Sequence, residues 1–263
     1  MLPRTEETVM SDVIPKAASV PGIEISDIRY DSHGYPVPAY LARPKKTGRL
    51  PGVIVGQEAF GITDHVRDIA AALAGQGYVA IVPDYYARTG EPKPRTEIPA
   101  ILSAIDRIHN PAILRDYQSA ISHLVKSGLC DPKRIGTMGF CTGGTYSMIL
   151  AIEQRDLACA CIWYVSQLTY QQLNERKPYH PIDRAGEIRC PTLFIYGTAD
   201  QVWTKEKVAR LEANLKKGKS PSTLRAYEGA GHAFLAPDGF AYSEAASRQA
   251  WPEALAFMRR HLG

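Results

Sequence analysis

Arg134-Ile135-Gly136-Thr137-Met138-Gly139-Phe140-Cys141-Thr142-Gly143-Gly144 is the stretch that decides the fold. Ile135 to Phe140 reads as a buried strand, and a helix from about Gly144 to Gln154 follows after a sharp turn. Gly139-Phe140-Cys141-Thr142-Gly143 has the form G-x-nucleophile-x-G, with cysteine where most such sequences carry serine. A nucleophile on a strained strand-to-helix turn needs neighbours without side chains, so that its sulfur projects into open space. The following helix aims its unpaired N–H groups and positive end at the sulfur, which favours a thiolate and any oxyanion formed there.

Outward from this stretch the chain keeps one rhythm. Short apolar strands at Gly52–Gly56, Tyr78–Val82, Ala158–Tyr164, Pro191–Tyr196 and Ser222–Tyr227 alternate with amphipathic helices, the last about Ser243 to His261. Before them, Ile23–Tyr30 and Val37–Arg43 flank the turn Asp31-Ser32-His33-Gly34 and read as an antiparallel edge hairpin. The expectation is an α/β chain: a mostly parallel central sheet with an N-terminal antiparallel hairpin and helices on both faces. Residues 1–20 read as a flexible N-terminal arm and 21–263 as a single domain. Residues 85–99, rich in Pro and charge, and the polar stretch 165–187 read as long loops.

Composition excludes several classes. The 263 residues are 45% hydrophobic and 22% charged, as in an ordinary globular domain. The net charge of +4 is scattered, with no basic stripe for nucleic acid and no polybasic membrane patch. The polar start, with Glu6, Glu7 and Asp12, is not a secretory signal, and no apolar run is long enough to span a bilayer. Five cysteines without CxxC pairs or a spaced Cys/His set predict no metal and no disulfide framework, hence a reducing, cytoplasmic compartment. No dimerisation element is evident, so a monomer is expected, with a small molecule as partner and no cofactor.

In such sheets the functional loops lie at the carboxyl ends of the strands. Those loops hold Cys141, then Asp200 in Gly197-Thr198-Ala199-Asp200, then His232 in Gly229-Ala230-Gly231-His232. Nucleophile, acid, histidine is the chain order of α/β-hydrolases. A thiol of pKa about 8.5 needs an imidazole to take its proton, and the imidazole needs a carboxylate on its other nitrogen. Taken singly, Cys141 also reads as a small core residue and Asp200 as a capping carboxylate. The loop Gln57-Glu58-Ala59-Phe60-Gly61 should add a second oxyanion N–H, assigned to Ala59, beside that of Thr142. Glu58 reads either as a solvated loop residue or as a proton acceptor for the Cys141 thiol.

These residues together resemble the dienelactone hydrolase (carboxymethylenebutenolidase) family. The resemblance runs from about residue 22 to the C-terminus. It rests on Gln57-Glu58-x-Phe60-Gly61, His65-x-Arg67-Asp68, Pro83-Asp84-x-Tyr86, Gly139-Phe140-Cys141-x-Gly143-Gly144, Tyr196-Gly197-x-x-Asp200 and Gly231-His232-x-Phe234. It implies an α/β-hydrolase fold and a Cys141–His232–Asp200 triad, with Glu58 taking the thiol proton as substrate binds. It further implies cofactor-independent hydrolysis of an ester or lactone through an acyl thioester. Arg88 matches an arginine that grips the substrate carboxylate in the family; otherwise it reads as a solvated loop residue. The family's second such arginine falls at Ala236, which points toward a neutral ester, a bulkier lactone or another acyl substrate; a related carboxylesterase or a phosphotriesterase-like hydrolase is the alternative to a dienelactone hydrolase. A non-catalytic binding protein and a cysteine redox sensor are the competing classes.

Overall fold

The computed structural model describes residues 13–90 and 97–263. Eight strands form one sheet, in the spatial order β1-β2-β4-β3-β5-β6-β7-β8. They are β1 (Ile23–Ser32), β2 (Tyr35–Pro44), β3 (Leu50–Gly56), β4 (Val79–Pro83), β5 (Cys130–Phe140), β6 (Cys159–Trp163), β7 (Thr192–Gly197) and β8 (Ser222–Tyr227). The hairpin β1–β2 and its junction with β4 are antiparallel, and every pairing from β4 through β3 to β8 is parallel. The expected architecture is the observed one.

Six α-helices are described: α1 (Asp64–Gly75), α2 (Ile98–Arg107), α3 (Asn110–Lys126), α4 (Thr142–Glu153), α5 (Lys205–Leu215) and α6 (Glu244–Leu262). Strand residues alternate between two apolar layers, because successive side chains leave opposite faces of a pleated strand. Val53, Val55, Cys159, Cys161 and Trp163 pack toward α1 and α6, whereas Ile54, Ala160 and Ile162 pack toward α3, α4 and α5. Both layers are apolar, so the central strands read as continuous hydrophobic runs. Helix α4 is buried from Thr142 to Ile152. A helix buried on all sides is a rigid base for whatever stands at its N-terminus.

Two expectations on loops and tails are refined. Part of the 1–20 arm lies outside the described residues; the rest, 13–20, packs on α1. There Asp68 accepts from the Ala17 N–H at 2.7 Å and pairs with Lys16 at 3.3 Å, while Ile14 is buried. The stretch 165–187 is not a plain surface loop: it buries Leu168, Lys177 and Ile182 and ends in a short 3-10 helix, Pro181–Glu187. Lys177 Nζ donates to Ile105 O and Asn110 Oδ1, both at 3.1 Å. Burial pushes its ammonium down to about 8. The 85–99 stretch includes residues 91–96, which lie outside the described residues. All five cysteines are free and buried, and no described helix is long and apolar enough to cross a membrane.

Candidate active site

The strand β5 delivers Cys141 to the carboxyl edge of the sheet, one residue before α4 begins. Cys141 has φ 54° and ψ −114°, outside the regions an L-residue ordinarily occupies. Packing over-determines this turn. A Cβ on Gly139 would stand 2.2 Å from Gly143 O and from Ser147 Oγ. A Cβ on Gly143 would stand 2.1 Å from the Gly56 carbonyl carbon, at the end of β3. The glycines thus let three backbone segments touch, which is more than clearing space for the sulfur. The Cys141 N–H donates to Trp163 O at 3.1 Å, and Cys141 O accepts from Ser166 N at 3.1 Å and Thr145 N at 3.2 Å.

Asp200 follows β7 in a tight turn closed by Asp200 N to Gly197 O at 3.2 Å and Trp203 N to Asp200 O at 3.0 Å. Its carboxylate is wholly buried; Oδ1 accepts from Val202 N at 2.8 Å, leaving Oδ2 for the histidine. His232 follows β8. The loop carrying it is pressed against the Asp200 turn, since Ala199 N donates to Ala230 O at 3.0 Å and a Cβ on Gly197 would meet Ala230 O at 2.0 Å.

The structure brings the three expected residues into one line. His232 Nδ1 lies 2.7 Å from Asp200 Oδ2, and His232 Nε2 lies 3.1 Å from Cys141 Sγ. Burial works against a charged imidazole at this place, but the sulfur of Cys141 and the Asp200 carboxylate outweigh it. The net effect holds the His232 pKa well above the usual histidine value.

Around this line the Gln57–Gly61 loop is held from β4. Asp84 Oδ1 accepts from Gln57 Nε2 at 3.2 Å and from Tyr86 N at 2.9 Å. Tyr85 donates to Glu58 O and Tyr86 to Ala59 O, each at 2.7 Å. Glu58 is buried, not solvated, and its Oε1 accepts from the Tyr164 hydroxyl at 3.3 Å. Among the turn and loop hydrogen bonds of the described residues, neither the Ala59 nor the Thr142 N–H donates to a backbone carbonyl. A first-turn helical N–H such as that of Thr142 has no acceptor within its own helix.

Arg88 is placed differently from a solvated loop residue. Its guanidinium makes a bidentate pair with Asp116, Nε at 2.8 Å and Nη2 at 2.7 Å, and stacks 4.1 Å from the centre of the Tyr35 ring. Asp116 is buried and Ala236 is fully buried. No group of three His, Cys, Asp or Glu residues converges as metal ligands among the described residues.

Sequence reasoning missed Tyr164. It follows the last residue of β6 with φ 32°, donates to Glu58, and meets the His232 ring edge-on at 5.6 Å. The rule that strand ends carry the site would have found it, had β6 been ended one residue earlier. Tyr86 stands in the motif Pro83-Asp84-x-Tyr86, but nothing in the sequence marks it or Tyr85 as a carbonyl anchor.

Known proteins are similar to this chain in sequence and in fold. A Salmonella typhimurium protein named "Putative carboxymethylenebutenolidase" is 35% identical over 234 residues, 88% of this chain and 86% of its own length. A Bradyrhizobium protein named "Probable 2-oxo-3-(5-oxofuran-2-ylidene)propanoate lactonase" is 32% identical over 224 residues, 85% of this chain and 89% of its own. The crystal structure of a "Putative Dienelactone Hydrolase" from Klebsiella pneumoniae superposes with a TM-score of 0.85 at 32% identity, covering 90% of this chain and 99% of that one. The sequence model of the dienelactone hydrolase family matches residues 37–262. With nearly the whole domain matched and the fold shared, this chain belongs to the dienelactone hydrolase family and is a carboxylic ester hydrolase of the α/β-hydrolase fold.

Proposed function

We propose that the chain hydrolyses an ester or lactone with Cys141 as nucleophile, through an acyl-thioester intermediate. The observation that carries this reading is the line Cys141 Sγ–His232–Asp200, at 3.1 and 2.7 Å, set on a strained turn at the head of a buried helix. His232 Nε2 takes the thiol proton and Sγ attacks the acyl carbon, while the carbonyl π pair moves onto oxygen. The N–H groups of Ala59 and Thr142 are the proposed donors to that oxyanion. Its collapse breaks the C–O bond, and the leaving oxygen takes the proton from His232. Water then gives a proton to His232 and adds to the thioester, and collapse expels the thiolate to leave a carboxylic acid. No step needs a metal or an organic cofactor. Glu58 is proposed as the alternative acceptor of that same single proton: it takes the proton in place of His232 as substrate binds, and the leaving oxygen then draws it back from Glu58. Its burial beside Tyr164 supports a role no solvated carboxylate would have.

The acyl substrate is proposed to depend little on a carboxylate grip. Arg88, the candidate for that grip, is held by Asp116, and the second position is the buried Ala236. The names of the relatives speak of carboxylate-bearing lactones, so a dienelactone remains the second reading, supported by the family match. Hydrolysis of a dienelactone beside a neutral aryl ester, by wild type and Cys141→Ser, separates them. Good ester turnover with weak dienelactone turnover, both collapsing in the variant, is the expected result; full hydrolytic activity in Cys141→Ala, which has no nucleophile at this position, would overturn the mechanism. A cytoplasmic location is part of the proposal, supported by the five free thiols, and so is a monomer, which rests on the sequence alone.

A further inference from the structure

The peptide unit between Glu58 and Ala59 carries both a carbonyl and the N–H proposed as an oxyanion donor. In a trans peptide these two groups point in opposite directions from one rigid plane. Whatever fixes the carbonyl therefore aims the N–H. Here the carbonyl is fixed from within the core: Tyr85 donates to Glu58 O at 2.7 Å, and Gly61 N closes a turn onto the same oxygen at 3.2 Å. Tyr85 is 1% exposed, wedged against Tyr86 at 4.6 Å and edge-on to Tyr146 at 5.2 Å between ring centres. Tyr86 fixes the next peptide, through Ala59 O. The loop bearing both tyrosines is itself tied to the sheet, because Asp84 N donates to Pro38 O at 2.9 Å.

We infer that Tyr85 is a positioning residue for catalysis: its hydroxyl orients and polarises the Glu58–Ala59 peptide so that the Ala59 N–H meets the developing oxyanion. The inference rests on the reading of Ala59 as an oxyanion donor. Position 85 is the unspecified residue of the motif Pro83-Asp84-x-Tyr86, so the family resemblance does not imply this contact. Polarisation runs through the amide: a hydrogen bond accepted by the carbonyl strengthens the N–H of the same unit as a donor. Burial holds the phenol far above its ordinary pKa, so it remains a neutral donor throughout the working range. The hydroxyl is separable from the fold. Phenylalanine would keep the ring contacts, and Gly61 N would still satisfy Glu58 O.

The test compares two reactions of Cys141. Ester hydrolysis builds an oxyanion, whereas alkylation by iodoacetamide is a displacement at carbon that builds none. In Tyr85→Phe, kcat for an aryl ester should fall about tenfold with KM within about twofold, below the 10²–10³ of losing an oxyanion donor outright. The alkylation rate should stay at the wild-type value. Tyr85→Leu, also without a hydroxyl, should show the same split and serves if the first variant fails to fold. Tyr86→Phe, acting on the neighbouring peptide, should lose less. Wild-type hydrolysis in both Tyr85 variants, or an equal fall in hydrolysis and alkylation, overturns the inference while leaving the hydrolase reading intact. A wild-type enzyme that forms no acyl enzyme overturns the reading itself, and the inference with it.

Discussion

His33 and Cys141 have nearly the same φ, 53° and 54°, yet they sit in opposite kinds of surroundings. His33 is the tip of the β1–β2 hairpin, followed by Gly34 at φ 84°, with the Gly34 N–H donating to Asp31 Oδ1 at 3.0 Å. A Cβ on Gly34 would find nothing within 4 Å. Positive φ at both tip residues is the geometry a two-residue hairpin needs to match the twist of its strands. Around the Cys141 turn, Gly56, Gly139 and Gly143 press so closely that a Cβ on any of them would meet backbone atoms at 2.5 Å or less. Two further non-glycine residues with positive φ, Tyr164 and Ala233, adjoin the same site. Strain alone therefore does not mark function. Strain that the surroundings enforce from several directions, beside a line of chemically matched side chains, does.

The largest effect should come from Asp200→Asn, which keeps the shape and removes the charge behind His232. A loss in kcat on the order of 10⁴ is expected from the corresponding change in a Ser–His–Asp enzyme. Direction in pH follows from the raised His232 pKa, which the Asp200 carboxylate helps to hold up. Removing that carboxylate lowers it, so the limb of kcat/KM set by His232 ionisation should move to lower pH. The same charge bears on stability. A histidine with a raised folded-state pKa adds stability fully below about pH 6.5, its unfolded value, and loses it as pH climbs through the folded value. The melting-temperature gap between wild type and Asp200→Asn should therefore be widest below pH 6.5 and narrow at alkaline pH. An unmoved limb would detach Asp200 from His232 in function.

Next comes Gly143→Ala. The added methyl would meet backbone atoms of Gly56 and Gln57 at 2.1 to 2.5 Å, which no side-chain rotation relieves. A loss of more than about 3 kcal/mol, seen in chemical denaturation, is expected because strand β3 and helix α4 must separate. Wild-type stability would show that the elbow is loose and break the contrast with the hairpin. The smallest effect belongs to His33→Gly. Relief of the left-handed strain and the added unfolded-state entropy nearly cancel, leaving about 0.5 kcal/mol or less. Activity should not change. A shift in kcat would mean that the hairpin tip communicates with the site.

The sequence read the sheet and the line of Cys141, Asp200 and His232 because both depend on short-range pattern. Apolar strands alternating with helices locate the strand ends, and strand ends locate the three side chains. What stayed hidden depends on contacts between distant segments. Arg88 reads as a loop cation until Asp116, on another element, is brought to it. Glu58 reads as solvated as easily as buried, because nothing near it in sequence shows that Tyr164 will close over it. Lys177 lies in a polar stretch, and only the approach of Ile105 and Asn110 makes it an interior residue. The Gly143–Gly56 contact joins helix α4 to strand β3, far apart in the chain, so the second reason for the glycine is invisible in the motif that contains it.

The central claim is that Cys141 becomes acylated during turnover. Mixing the enzyme with an aryl ester, quenching in acid within the first turnovers and measuring the intact mass tests it most directly. The account predicts an added mass equal to the acyl group, mapped by digestion to the peptide bearing Cys141 and absent in Cys141→Ala. Turnover at full rate with no acyl adduct, or an adduct on another residue, would contradict it.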